Sequence, residues 1–160
     1  MQALNLGCGI HPEGRGLIPA GATVTQHDRV RHSPHVQVAH DLRVMPWPFS
    51  AESFDLILAF DVIEHLVDVL AAMDECWRIL RPGGLLIIHT VDVRHTEQAF
   101  RDPTHVHWFT LETFNFFDPE LPWGKEYGRW YTDRHWRLLE ARTDGLELLF
   151  RLQKRPGGGG

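Results

Sequence analysis

Leu4-Asn5-Leu6-Gly7-Cys8-Gly9 opens the chain, followed by Asp28, by Asp41-Leu42 and by Phe54-Asp55-Leu56-Ile57-Leu58-Ala59-Phe60-Asp61. An apolar strand that runs into a Gly-x-Gly turn lets a ligand lie against bare backbone, and an acidic residue about 20 positions further on can hold a ribose diol. Asp28 stands at that distance. The opening therefore predicts an α/β sheet that binds an adenosine-type cofactor where its strands end.

Outward from that stretch, apolar runs alternate with helical patterns. Ala3–Leu6, Ala22–Gln26, Val36–Ala39 and Phe54–Phe60 read as four buried strands, with no convincing helix among them. Asp68 to Leu80 reads as the best helix: Val69, Leu70, Met73, Trp77 and Leu80 share a face, Asp68 caps the start, and Pro82-Gly83-Gly84 stops it. Leu85–His89 is then a fifth buried strand, reached by a right-handed parallel crossover. A short helix is expected over Leu111–Phe117. Trp136–Ala141 and Leu146–Leu152, split by Thr143-Asp144-Gly145, read as a closing antiparallel hairpin. The fold class is thus α/β, a doubly wound, Rossmann-like, mostly parallel sheet with a minimal N-terminus that lacks the first helices.

With 160 residues, of which 43% are hydrophobic, the chain is long enough for one core, and a single domain is expected over residues 1–155. Residues 156–160, ending in Gly157-Gly158-Gly159-Gly160, read as a flexible tail. A net charge of −5 gives no general attraction for phosphate backbones or anionic membranes, so neither nucleic acid nor membrane is an expected partner. Two cysteines, Cys8 and Cys76, make no disulfide framework and suit a reducing compartment. With no signal peptide and no apolar run of about 18 residues, a soluble cytoplasmic protein is expected.

Five motifs now stand in order: Leu4-Asn5-Leu6-Gly7-Cys8-Gly9; His27-Asp28; His40-Asp41-Leu42 with Pro46-Trp47-Pro48-Phe49; Ser53-Phe54-Asp55 through Ile63-Glu64-His65-Leu66; and Arg78-Ile79-Leu80-Arg81-Pro82-Gly83-Gly84. In this order they resemble the class I S-adenosylmethionine-dependent methyltransferases, over residues 3–90, and the segment beyond residue 90, with Arg101-Asp102-Pro103-Thr104-His105, is similar to small stand-alone, type 11-like members. The resemblance implies S-adenosylmethionine as cofactor, S-adenosylhomocysteine as product, and a small-molecule acceptor methylated on oxygen or nitrogen. It also implies backbone at Gly7, Cys8 and Gly9 along the methionine portion, Asp28 on the ribose hydroxyls, Asp41 on the adenine amino group with Leu42 against the ring, and Asp61 near the amino acid part. Glu64 and His65 fit a structural pair that fixes the entry of the next helix.

A dinucleotide oxidoreductase is the nearest rival, and its pyrophosphate needs a helix N-terminus directly behind the glycines. Pro12, Gly14, Gly16, Pro19 and Gly21 preclude a regular helix there. A sulfonium cofactor carries no phosphate and loses nothing by this. The missing helices leave the faces near the cofactor barer than usual, where a partner or a second copy of the chain would fit.

Methyl transfer needs a base only when the acceptor must lose a proton. His105 is the first choice for that role and His107 the second, because histidine titrates near neutral pH and the Asp102-Pro103 turn can orient it. His89-x-x-Asp92-x-x-His95 and Asp102-x-x-His105-x-His107 carry enough donors for a divalent ion, yet match no strong signature, so no metal ligands are assigned. A metal-binding protein using residues 89–107 and a non-catalytic cofactor-binding subunit or scaffold remain the alternative classes.

Overall fold

The computed structural model describes residues 1–156; the glycines 157–160 of the expected tail lie outside the described residues. Seven strands, β1 (Gln2–Leu6), β2 (Thr23–Asp28), β3 (Val38–Ala39), β4 (Phe54–Phe60), β5 (Leu80–Val91), β6 (Trp136–Asp144) and β7 (Glu147–Lys154), form one sheet in the order β3-β2-β1-β4-β5-β7-β6. The first five are parallel, and β7 runs antiparallel to both β5 and β6. Leu6 lies beside His27 on one side and Ala59 on the other, and Phe60 lies beside His89. The carboxyl ends of β1, β2, β4 and β5 therefore meet at one edge, where open α/β sheets bind their ligands.

Strand periodicity divides the sheet into two faces. Leu4, Leu6, Ile57, Ala59, Leu86, Ile88, Leu148 and Phe150 point into the main core, where they meet Ala72, Met73, Cys76 and Ile79 of helix α1 (Val69–Ile79) and the aromatic rings of Phe109, Phe114 and Phe117. On the other face, Ala3, Leu56, Leu58, Ile87 and Leu149 form a smaller cluster that contains no helical residue; Ile18 and Ala22 of the loop before β2 pack against it. The breaker-rich segment forms only a 3-10 turn at Gly14–Gly16, as its composition dictates. Helical cover is thus confined to one face in this region.

Asp68 caps α1 as its sequence predicts, its carboxylate accepting from the Ala71 amide at 2.9 Å. Two expectations for this helix change. Its buried stripe is rotated toward the small residues Ala72 and Cys76, leaving Leu70 38% exposed, and it stops at Ile79 rather than at the Pro82-Gly83-Gly84 turn. Leu80 is already extended, at φ −74° and ψ 142°, because it pairs with Phe54 and so begins β5 five residues before the expected strand. The helix expected at Leu111–Phe117 is a 3-10 turn over Thr113–Phe117, and two short helices, α2 (Thr96–Arg101) and α3 (Pro122–Tyr127), carry no periodic signal in the sequence. No helix among the described residues is long and apolar enough to cross a membrane.

Candidate active site

Gly7 sits at φ +63°, and a Cβ there would lie 2.4 Å from Val62 Cγ2. Glycine is required here by the protein's own packing, in addition to any ligand. Beyond it the Cys8 amide donates to the His27 carbonyl at 2.8 Å, and the Gly9 amide donates to Asp28 Oδ2 at 2.8 Å. The Arg29 amide donates to the other Asp28 oxygen at 2.7 Å. His27 is buried beneath this turn, donating through Nε2 to the His40 carbonyl at 3.0 Å, with the Gly7 amide 3.4 Å from Nδ1. Burial holds its pKa below the usual 6.5, so the ring stays neutral. Burial, reinforced by the Asp28 charge, pushes the Cys8 thiol up to about 11, and Cys8 therefore enters this region as backbone only.

A cavity of about 430 Å³ adjoins this turn, lined by Gly7, Asp28, Asp41, Leu42, Asp61 and His65 among others. Its size falls in the roughly 300–1,000 Å³ range of small-ligand sites. Five of the seven positions expected to meet the cofactor line it; Cys8 and Gly9 do not. Asp41 is held within its own turn by the Arg43 side chain, which lowers its pKa, and Leu42 is 7% exposed beside it.

Asp61 adopts φ +54°, rare for a residue with a Cβ and a frequent mark of a functional position. Its amide donates to the His89 carbonyl at 2.9 Å, one carboxylate oxygen takes the Arg15 guanidinium, and the other is buried without a protein partner. Arg15 also donates to His89 Nδ1 at 3.1 Å, lies 3.7 Å from Glu147, and stacks over Phe60 with its guanidinium 5.3 Å from the ring centre. Arg15 is a site residue that the sequence reading does not single out. Its signal is that it is the only Lys or Arg between residues 10 and 22.

A second cavity of about 670 Å³ shares Asp61 with the first and is lined by Glu64, Gln98, Arg101, Asp102, His105 and Glu147 among others. Glu64 is fully buried, and neither carboxylate oxygen has a hydrogen-bond partner. Burial pushes its pKa up to about 7. The Glu64 carbonyl accepts from the amides of Val106 at 2.8 Å and His107 at 3.3 Å, which draws the 104–107 segment over the turn at Ile63–His65. His65 and His105 consequently stack edge to face, with ring centres 4.8 Å apart, His65 on the first cavity and His105 on the second. His105 Nδ1–H donates to the Ala99 carbonyl at 2.8 Å, so Nε2 is its free nitrogen.

His107 lies outside both cavities. Its Nε2 bonds the Val67 carbonyl at 3.0 Å, and the ring lines an apolar cavity with Leu70, Trp108 and Phe116. The donor sets local in sequence do not converge either. Asp92 is taken by Arg94 and His89 by Arg15, and the clusters that do form are Glu64-His65-His105 and Asp61-His89-Glu147, the latter filled by the Arg15 guanidinium.

A glycine turn without a phosphate-binding helix, a strand-end acid and a joined pair of cavities at the carboxyl edge form the arrangement that comparison with known families addresses. The methyltransferase domain family matches residues 1–137. The chain belongs to that family. A ubiquinone biosynthesis O-methyltransferase of Rhizobium leguminosarum bv. trifolii is 31% identical to this methyltransferase-domain chain over 103 residues, 58% of this chain and 41% of the relative. The chain spans less than half the length of the curated relatives it matches. Among solved structures, the methyltransferase bound to the Trm112 activator of Haloferax volcanii superposes with a TM-score of 0.69 at 15% identity, over 96% of this chain and 82% of that one. The YcgJ protein of Bacillus subtilis superposes at 0.65 and 14% identity, over 98% and 92%. These structural likenesses establish the fold. S-adenosylmethionine is the cofactor of this family, and the first cavity suits it: the carboxylate of Asp28 at the end of β2 lines its wall, and the segment behind the glycine turn forms only a 3-10 turn, with no helix N-terminus to demand a phosphate.

Proposed function

We propose that this chain transfers a methyl group from S-adenosylmethionine to a small-molecule acceptor, through oxygen or nitrogen, with the cofactor in the 430 Å³ cavity and the acceptor in the 670 Å³ cavity. The observation that carries this reading is that the two cavities meet at Asp61 and at the stacked pair His65 and His105. The cofactor supplies an electrophilic methyl on a sulfonium. The protein supplies position and dryness, which provide most of the acceleration for an in-line displacement. Asp28 accepts hydrogen bonds from the ribose hydroxyls, and Asp41 with Leu42 meets the adenine. Asp61 and Arg15 present opposite charges to the zwitterionic amino acid end. His105 faces the acceptor with a nitrogen whose lone pair is fixed outward, which suits it to a proton that must leave.

Titration calorimetry with S-adenosylmethionine, followed by acceptor pools and detection of S-adenosylhomocysteine, tests the reading. Binding with acceptor-dependent product supports it. Tight binding with no turnover in any pool would replace it with a non-catalytic cofactor-binding subunit, and no binding at all would remove both.

A further inference from the structure

Glu64, His65 and His105 each offer a ligating atom, and those atoms lie within 4.8 Å of one another. The hydrogen bonds around them fix what they can do. The Thr104 hydroxyl donates to Asp102 Oδ1 at 2.7 Å, so its oxygen accepts from His65 Nδ1–H at 2.9 Å. The Ala99 carbonyl likewise accepts from His105 Nδ1–H. With Nδ1–H so engaged, Nε2 is the nitrogen of each ring free to ligate. Beside them stands the Glu64 carboxylate, fully buried with both oxygens unpartnered. Three acceptors converge, with the buried Thr90 hydroxyl a donor group beside the carboxyl, and a buried carboxylate so placed carries a desolvation penalty that a proton or a cation relieves.

We infer that Glu64, His65 and His105 form a binding site for one divalent transition-metal ion of the zinc class, with its open coordination positions facing the 670 Å³ cavity. Two imidazoles and one carboxylate are the donor set of open, three-ligand zinc and iron(II) sites, whereas magnesium and calcium take oxygen donors. The contacts from each Nδ1–H to Thr104 and Ala99 are the outer-shell bonds that orient metal-bound histidines. Metal–ligand bonds of about 2.1 Å place ligand atoms about 3.4 Å apart, so the cluster closes by about an ångström on loading. His65 lies on the cofactor cavity and His105 on its neighbour, which puts the ion between donor and acceptor. An acceptor oxygen taking an open position is thereby held at that boundary and made more acidic. The inference rests on the proposed function only in naming the second cavity as the acceptor's; in the loaded protein His105 acts as a ligand.

The test uses the full chain purified without an affinity tag and stripped with a chelator. Zn²⁺ is titrated by calorimetry, Co²⁺ by its visible absorption, and thermal unfolding is followed with and without Zn²⁺. One equivalent of ion is expected to bind the native chain, with a raised unfolding temperature. Glu64→Gln and His105→Ala each weaken binding by more than about ten-fold, while His135→Ala, at an exposed surface histidine, leaves it unchanged. Because Glu64→Gln replaces a buried carboxyl with a neutral group of the same shape, the metal-free variant unfolds no earlier than the metal-free native chain, which separates lost ligation from lost folding. Binding by the native chain no tighter than by Glu64→Gln, or an unfolding temperature insensitive to Zn²⁺, overturns the inference. S-adenosylmethionine binding measured on the stripped chain keeps the two readings apart: cofactor without metal sinks this inference alone, and metal without cofactor sinks the proposed function alone.

Discussion

The Gly9 amide donates to Asp28 Oδ2 at 2.8 Å, tying the glycine turn after β1 to the last residue of β2. Asp28 therefore shapes the turn as well as presenting a carboxylate to the cavity. Replacing Asp28 with alanine is expected to weaken S-adenosylmethionine binding by about 1–3 kcal/mol, through lost charged hydrogen bonds to the ribose. Asp28→Asn keeps the shape but turns an amide nitrogen toward one of the two backbone donors, and its affinity falls between those of the native chain and Asp28→Ala. Calorimetry on the three proteins checks the order. Unchanged affinity in Asp28→Ala would contradict the ribose assignment.

Gly7 and Val62 make a second coupled pair. Gly7→Ala places a methyl 2.4 Å from Val62 Cγ2 at φ +63°, so the substitution adds a clash to a left-handed backbone penalty. A loss of about 2 kcal/mol or more is expected in urea unfolding. In a Val62→Ala background the clash disappears and only the backbone part remains, so Gly7→Ala is less damaging there. Equal losses in both backgrounds would show that the contact does not explain the glycine.

The parts of the fold that can be read in sequence are those whose cause is local. Phe54–Phe60 is a run apolar at every position but Asp55, with bounds legible to the residue, and Asp68 announces a helix start. The start of β5 at Leu80 is not legible because its pairing with Phe54 is a tertiary contact that overrides the helical pattern on which Leu80 sits. The same division runs through the site. Asp28 and Asp61 end buried strands and stand out by position. Glu64 is legible only as the structural partner of His65, and Arg15 and Glu147 do not stand out at all, because sheet register, with Phe60 beside His89 and Val91 beside Glu147, brings distant segments to one edge. Residues 89, 92 and 95 are close in sequence yet diverge, since Asp92 turns into an ion pair with Arg94.

His105 stands on the acceptor side of the boundary, whether it meets the acceptor directly or through an ion. His105→Ala is expected to lower kcat by about 10²–10⁴-fold on an acceptor that must lose a proton. Its S-adenosylmethionine affinity stays within about three-fold of the native chain, because the cofactor cavity is lined by His65 and not by His105. Single-turnover rates and calorimetry on the same preparation separate the two quantities. A native rate would remove His105 from the reaction, and a parallel loss of affinity would make it part of the cofactor site.

His27 gives the fold an acid-sensitive point away from the acceptor. Its ring is buried and neutral, donating to the His40 carbonyl, and burial holds its pKa below the 6.5 of an exposed histidine. In the unfolded chain the same ring takes up a proton as the pH falls through about 6.5, while the folded ring does so only at lower pH. The unfolded state thus binds more protons in that interval, and stability declines as the pH drops from about 6.5 toward the depressed value; above it His27 contributes no pH dependence. His27→Gln has no such group. Urea unfolding at about pH 7.5 and about pH 5.5 should show a smaller loss of stability on acidification in His27→Gln than in the native chain. An identical loss in the two proteins would mean that His27 titrates in the folded state as it does in water, and that the glycine turn resting on it is not held by a neutral ring.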